Sequence, residues 1–336
     1  MIIEYMSRGI RRDRCLAIVG MSKSEFYHES AGNKSGRAPT THTKWRNPKN
    51  LEVIMKKNDE VVLEAIHIKL DPDQAKWYHL ITDTLKIRGY YLNHKKLYRL
   101  MKEYTLLEER PRPIDKTYVK YRRVTPIAPL QSIEMDIKHI WIYEKRKYAF
   151  VFTILDTFTR YALHWKVGYS MQCEQIQEAW EYVIANYLQH SSNKVSDLLV
   201  TVRSDNGPQF EARSLKAFFN QNNIQHEFTH PYTPEENGHI ESFHSILTDA
   251  LTNDRFSSLE QLENRLIKFY TTYNNDRSHS GTKGIPPSMY WALFDMGKIE
   301  VKVDESEKRN HKVWLKVAYQ DILTIPGIKK YQYRVI

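Results

Sequence analysis

The chain is 336 residues long, 41% hydrophobic and 27% charged, enough apolar material for cores in two or three domains. No apolar run reaches the roughly 18 residues of a membrane helix, and the N-terminus lacks a secretory apolar stretch. Two cysteines, Cys15 and Cys173, exclude a disulfide framework and a cysteine-rich zinc site, so a reducing cytosol is the expected compartment. The net charge of +10 is unevenly spread: residues 1–125 hold 26 Lys and Arg against 15 Asp and Glu, and residues 126–336 hold 24 against 25. A basic first third points to a polyanion. Nucleic acid fits better than a membrane surface, which would call for a basic amphipathic helix with a bulky apolar face.

Arg11 to Val19 reads as a short helix ended by Gly20. Ser22-Lys23-Ser24-Glu25 then has the spacing of a capping box, so a second helix follows in the helix-turn-helix pattern, whose second helix reads a major groove. Residues 30–50 are polar and turn-rich, as a linker is. Ala75 to Arg88 is expected to be helical, Gly89 breaks it, and Asn93 caps a helix over His94 to Tyr104. That helix has Leu97, Leu100 and Met101 for a core and Lys95, Lys96, Arg99 and Lys102 for a phosphate-facing row. Pro111, Pro113, Pro126 and Pro129 mark a domain boundary.

Beyond the boundary the hydrophobic period shortens to two. Strands are expected over Ser132–Trp141, Tyr148–Leu155, Tyr161–Val167, Leu198–Arg203 and Gln225–Thr229, and helices over Gln172–Leu188, Arg213–Asn222 and Glu236–Leu251. This order is an α/β fold with a mixed sheet. The chain therefore divides into a helix-turn-helix-like segment and linker (1–50), a basic helical domain (51–110), a proline-rich linker (111–130), an α/β domain (131–295) and a small alternating, β-type appendage (296–336). Trp141, Trp165, Trp180 and Tyr182 fall at core spacings, and His244 and His279 read as structural histidines.

Three carboxylates stand out. Asp136 interrupts an apolar strand, Asp205 sits where a buried strand opens into Ser-Asp-Asn-Gly, and Glu241 follows Asn237-Gly238 on a helix. An unpartnered carboxylate in a strand is costly unless it coordinates something. Three carboxylates make an oxygen-only site suited to Mg²⁺ or Mn²⁺, and two ions about 4 Å apart are the arrangement that drives phosphoryl transfer. Taken singly, each residue also has a plainer use: an Asx turn at Asp205, an ion pair of Asp136 with Lys138, helix solubility for Glu241.

Glu-Met-Asp136, Ser-Asp205-Asn-Gly-Pro-Gln-Phe and Pro231-Tyr-Thr-Pro-Glu-Glu-Asn237-Gly-His-Ile-Glu241, with 35 residues between Asp205 and Glu241, resemble the D-D-E core of retroviral integrases and bacterial insertion-sequence transposases. Tyr273-Asn-Asn-Asp-Arg277-Ser-His279 is similar to the family's tail, and Arg88 to Lys102 to its upstream helix-turn-helix. The resemblance implies an RNase H-like core preceded by an all-α helix-turn-helix region, with Asp136, Asp205 and Glu241 as catalytic metal ligands for two Mg²⁺ or Mn²⁺ ions. It also implies 3′-end processing and strand transfer on double-stranded DNA, element ends and target alike, by a homo-multimer in the bacterial cytoplasm at the nucleoid. An upstream helix-turn-helix partner protein is implied too. Tyr232, Asn237 and Gly238 match the stretch beside the DNA terminus, and Lys23, Lys95, Lys96, Arg99 and Lys102 are the other expected DNA contacts. Lys138 and Thr248 depart from the family pattern, as do Trp77-Tyr78-His79-Leu80.

Competing motifs fail. His239-Ile-Glu241 lacks the downstream Pro-Cys-x-x-Cys of zinc deaminases, and no P-loop exists. The alternatives kept are a DNA-binding regulatory or domesticated remnant and an RNase H-like nuclease that uses water as its final nucleophile.

Overall fold

The computed structural model describes residues 2–23, 26, 40–108, 125–189, 200–230, 234–303 and 311–328. Glu25 of the expected capping box, the proline-rich segment as far as residue 124, and Tyr232 lie outside these residues. Two compact units divide the chain, Met1–His42 and Thr43–Ile336. The first contains α1 (Ile2–Ser7) and α2 (Arg12–Val19). α2 ends as expected on Gly20 in the left-handed region (φ 68°), and Lys23 is ion-paired to Asp13 at 2.8 Å.

The second unit opens with a two-stranded ribbon, β1 (His42–Arg46) and β2 (Val53–Lys57), then α3 (Asn58–Leu70), α4 (Tyr78–Ile87) and α5 (His94–Glu103). The Asn93 side chain accepts from the Lys96 amide, the expected cap, and Leu97, Leu100 and Met101 are buried against Val61, Ile68, Ile81 and Leu85. α3 was not anticipated.

A five-stranded sheet follows, in the order β5-β4-β3-β6-β7: β3 (Ser132–Ile142), β4 (Lys147–Asp156), β5 (Ala162–Gly168), β6 (Val200–Ser204) and β7 (Ile224–Phe228). β3, β4 and β5 pair antiparallel, whereas β6 runs parallel to β3 and β7. The crossover from β5 to β6 carries α6 (Cys173–Val183), and α7 (Pro208–Glu211) and α8 (Arg213–Gln221) lie between β6 and β7. These helices cover one face of the sheet, burying Ile133, Met135, Phe152, Val202, Trp180 and Phe219. α9 (Gly238–Ala250) and α10 (Leu259–Asn275) cover the other, with Val151, Leu155, Phe243 and Tyr270. α11 (Pro287–Asp295) joins Ile87 of α4 to a hairpin of β8 (Ile299–Val303) and β9 (His311–Leu315), the β appendage read from the alternation.

The aromatic expectations divide. Trp180 is fully buried, Trp165 stacks on Tyr270 at 4.8 Å, and Tyr182 stacks on His164. Trp141, expected in a core, is 38% exposed, because the β3–β4 hairpin extends past the helices that cover its base. The helical region is tied to the sheet domain by chemistry far apart in sequence. Arg265 of α10 forks onto the buried Asp73 at 2.7 and 3.2 Å, and Thr84 bonds Ser278.

Candidate active site

The site is built from β3 outward. Alternation sends Ile133, Met135 and Ile137 to the face of α6 and α8, and Glu134, Asp136 and Lys138 to the face of α9. The parallel register pairs Ile133 with Val202 and Glu134 with Arg203, and two residues further it brings Asp136 level with Asp205. Asp205 belongs to the turn that ends β6, where Oδ1 accepts from the Gly207 amide at 3.1 Å. A Cβ at Gly207 would stand 3.1 Å from that same oxygen, so the glycine lets the turn close on the carboxylate. Desolvation and then the negative charge of Asp136 hold the Asp205 carboxyl above the usual carboxylate range, against the pull of the Gly207 amide. Asp205 remains exposed, so water screens part of that repulsion.

α9 is pinned over β3 at two points one helical turn apart. The Ile240 amide donates to Glu134 Oε2 at 2.8 Å, and His244 Nδ1 lies 3.3 Å from Asp136 Oδ2. His244, expected as a plain structural residue, therefore contacts a candidate ligand. Asp136 is 23% exposed and Lys138 is half-buried beside it; desolvation lowers the lysine pKa and the Asp136 charge works against that. Glu241 follows Ile240 by about 100° of helical turn, at the flank of the pinned face, and is exposed. The fold thus brings Asp136 and Asp205 together, while Glu241 lies exposed on α9. Among the described residues, no group of three or more His, Cys, Asp and Glu side chains is arranged to hold a metal ion.

The segment leading into α9 is fixed from below. Buried Arg203 donates to the Glu236 carbonyl at 2.9 Å and to Glu227 Oε2 at 3.0 Å. Glu236, also buried, accepts from the His230 amide, and Asn206 donates to the Thr229 carbonyl. Asn237 is buried, while a Cβ at Gly238 would meet nothing within 4 Å. On α5, Lys95 and Lys102 are exposed; Lys96 and Arg99 are half-buried, with Arg99 3.7 Å from Glu103.

Glu134, Arg203 and Glu236 escaped the sequence reading. Glu134 is fully buried, and desolvation pushes its carboxyl up to about 7 despite the Ile240 amide, Arg160 and Arg203. Its signal was available: it lies two residues before Asp136, on the same face of the same strand. The tail residues are structural. Asn274 accepts from the Ala162 amide and donates to the Ala162 carbonyl, and buried His279 packs edge-on to Tyr273 at 4.5 Å.

A family profile described as an integrase core domain matches residues 126–234, and a second of the same description matches residues 222–287. An uncharacterized 39.2 kDa protein of insertion element IS476 from Xanthomonas euvesicatoria is 28% identical over 219 residues, covering 65% of this chain and 60% of that protein. An uncharacterized 31.7 kDa protein of insertion element IS407 from Burkholderia multivorans is 24% identical over 238 residues, covering 70% and 82%. The catalytic core domain of BIV integrase aligns with a TM-score of 0.37 at 21% identity, covering 50% of this chain and 98% of that one. No described helix is long and apolar enough to cross a membrane.

Proposed function

We propose, from the membership of residues 126–287 in the integrase core family, that this protein is a transposase that cuts DNA at the ends of an insertion sequence and joins the freed ends to target DNA. The observation that carries the reading is the meeting of Asp136 and Asp205 at adjacent parallel strands; Glu241, exposed on α9, is the third carboxylate of this reading. In end processing, a water oxygen attacks a phosphorus, a new P–O bond forms, the bond to the 3′ oxygen breaks, and that oxygen leaves with a proton. In joining, the freed 3′ hydroxyl attacks a target phosphodiester and a target 3′ hydroxyl departs. No oxidant or reductant is needed.

Two close carboxylates that repel one another fit a hard divalent cation. Asp136, Asp205 and Glu241 would hold Mg²⁺ or Mn²⁺, two ions in this reading, which when bound supply positive charge to the attacking and leaving oxygens. The chain's own contribution is positional. His244 orients Asp136, the Gly207 amide orients Asp205, and Glu134 sets the register of α9 and hence of Glu241. Tyr232, Asn237 and Gly238 precede Glu241 and would border the DNA terminus. Lys95 and Lys102 of α5 would meet duplex phosphates, with Lys23, Lys96 and Arg99 contributing less because ion pairs or burial already engage them. Assembly as a multimer on paired ends, with an upstream helix-turn-helix partner, belongs to the same reading.

Glu241→Gln tests it. The substitution keeps shape and hydrogen-bonding reach and removes one ligand charge, so strand transfer of a labelled DNA end in Mg²⁺ or Mn²⁺ should fall at least about a hundredfold, with affinity for that end unchanged. Wild-type protein that binds ends but never cuts or joins them in either metal, with the partner chain supplied, would make the protein a DNA-binding regulator instead.

A further inference from the structure

A groove of about 430 Å³ lies in the helical domain between the start of α4 and the second half of α5. Trp77, Tyr78 and His79 line it on one side and Tyr98 on the other, together with apolar Met101 and Leu107. The rings support one another: Tyr78 meets Tyr98 edge-on at 5.2 Å and His79 at 3.9 Å. Tyr78 and Leu107 also pack on the core that buries Val61, Ile81 and Leu97, which fixes the groove in place. Trp77 and Tyr98 are 41% and 42% exposed, so aromatic surface on both sides of the groove reaches solvent. Trp77, Tyr78 and His79 belong to the run in which this chain departs from the family pattern, so the groove is not part of that pattern.

The charge at the groove selects an anion. Lys76 is one of its lining residues. On α5, the spacing of Lys95, Tyr98 and Lys102 puts them within about 60° of one another round the helix, and all three are exposed. The acidic lining residue, Glu108, is 3.2 Å from Lys69, while Glu103 and Asp83 are engaged by Arg99 at 3.7 Å and Lys86 at 2.9 Å. Among the described residues, Lys76, Lys95 and Lys102 have no acidic partner. The first turn of α4, beside the rings, holds no carboxylate either. Positive charge therefore flanks the rings from both helices. A base inside a duplex shows its faces only to its neighbours in the stack, whereas an unpaired base offers them to an aromatic side chain.

We propose that this groove is a binding site for an unpaired nucleotide adjoining duplex DNA, its base against Tyr98 and Trp77 and its phosphates at Lys76, Lys95 and Lys102. The cations hold the backbone of either form of DNA, and the rings add a preference for a strand that has opened, without reading its sequence. The inference rests on the reading of α5 as a phosphate-binding helix and extends it from duplex to single strand.

The test uses the full chain and two probes: a blunt duplex, and the same duplex with a short single-stranded overhang in which 2-aminopurine replaces one adenine. Wild type should bind the overhang probe about tenfold more tightly than the blunt one and quench its 2-aminopurine as the base stacks. Trp77→Ala with Tyr98→Ala should abolish the preference and the quenching and leave blunt-duplex affinity, the internal check on folding, at the wild-type level. Tyr98→Ala alone should lower both in the same direction, and Tyr98→Phe, which keeps a ring, should retain them. Lys95→Ala with Lys102→Ala should weaken both probes and reduce the slope of log affinity against log salt by about 1.5 to 2. Equal affinity of wild type for the two probes, or a preference that survives loss of the rings, overturns the groove and leaves the reading of α5 standing. Unchanged affinity and slope in the lysine pair overturns the reading of α5, while a preference that still vanishes with the rings would keep the groove. Loss of a sedimenting dimer in the ring pair, with binding of both probes unchanged, would assign the groove to a second copy and overturn the proposal.

Discussion

The two faces of the central sheet use burial differently. Toward α6 and α8, the sheet buries Ile133, Met135, Phe152, Ile154 and Leu163 against Trp180 and Phe219, a surface for which volume and shape suffice. Toward α9 and α10, apolar residues of the same kind share the layer with buried Glu134, Thr153 and His279. Arg160 belongs to this polar layer; burial lowers its pKa while the nearby Tyr273, Glu134 and Asp156 support its charge. Polar groups in a core are tolerated when hydrogen bonds return what desolvation removes, and here those bonds fix backbone near the candidate ligands: Glu134 holds α9 and Thr153 bonds Tyr270 at 2.5 Å. The contrast teaches that one face secures the fold and the other secures geometry.

The contrast breaks most visibly at Trp180, which also donates Nε1 to Met135 Sδ and meets Phe219 edge-on. Trp180→Ala should cost about 3–5 kcal/mol in urea unfolding and leave transfer per folded molecule intact. A cost below about 1.5 kcal/mol would show that the apolar face repacks freely.

The polar face should be the acid-sensitive one. Burial, with Arg277 close by, lowers His279 to about 3, while an unfolded histidine takes its proton near 6.5. The stability held by neutral His279 is therefore complete above pH 6.5 and lost as pH falls from there toward 3. At about 1.4 kcal/mol per pH unit, roughly 3 kcal/mol should be gone by pH 4. His279→Asn keeps a donor and removes this titration, so its stability should fall less steeply over that window than wild type. Parallel curves would reject the assignment.

Glu134 sharpens the comparison further. Glu134→Gln retains an acceptor for the Ile240 amide and should stay within about 1 kcal/mol of wild type, whereas Glu134→Ala leaves that amide unpaired beside a cavity and should cost about 2 kcal/mol. Strand transfer should follow the same order. Equal activity in both variants would remove Glu134 from the positioning of Glu241. The smallest effect belongs to Asp205→Asn. It relieves the repulsion from Asp136, but Asp205 is exposed and screened, so metal-free stability should rise by only a few tenths of a kcal/mol. The Tm increase on adding Mg²⁺ or Mn²⁺ should shrink in the same variant; a full increase would place the cation elsewhere.

The primary sequence by itself determined every strand of the central sheet, the Asn93 cap and the Gly20 stop, and it singled out Asp136, Asp205 and Glu241 as candidates. These depend on local period, on turn chemistry and on spacing along the chain, all of which a linear string records. What only the tertiary structure decided is which cover each position receives. Glu134 and Asp136 share a strand face, yet α9 closes over the first and leaves the second 23% exposed. Trp141 and Trp180 have the same side chain, yet a hairpin that runs past its helices leaves Trp141 in solvent, while Trp180 is sealed against β3. Asp73 and Arg265 pair across 192 positions. Alternation encodes the direction in which a side chain points; what it meets there depends on how far the neighbouring elements extend, which no local pattern carries.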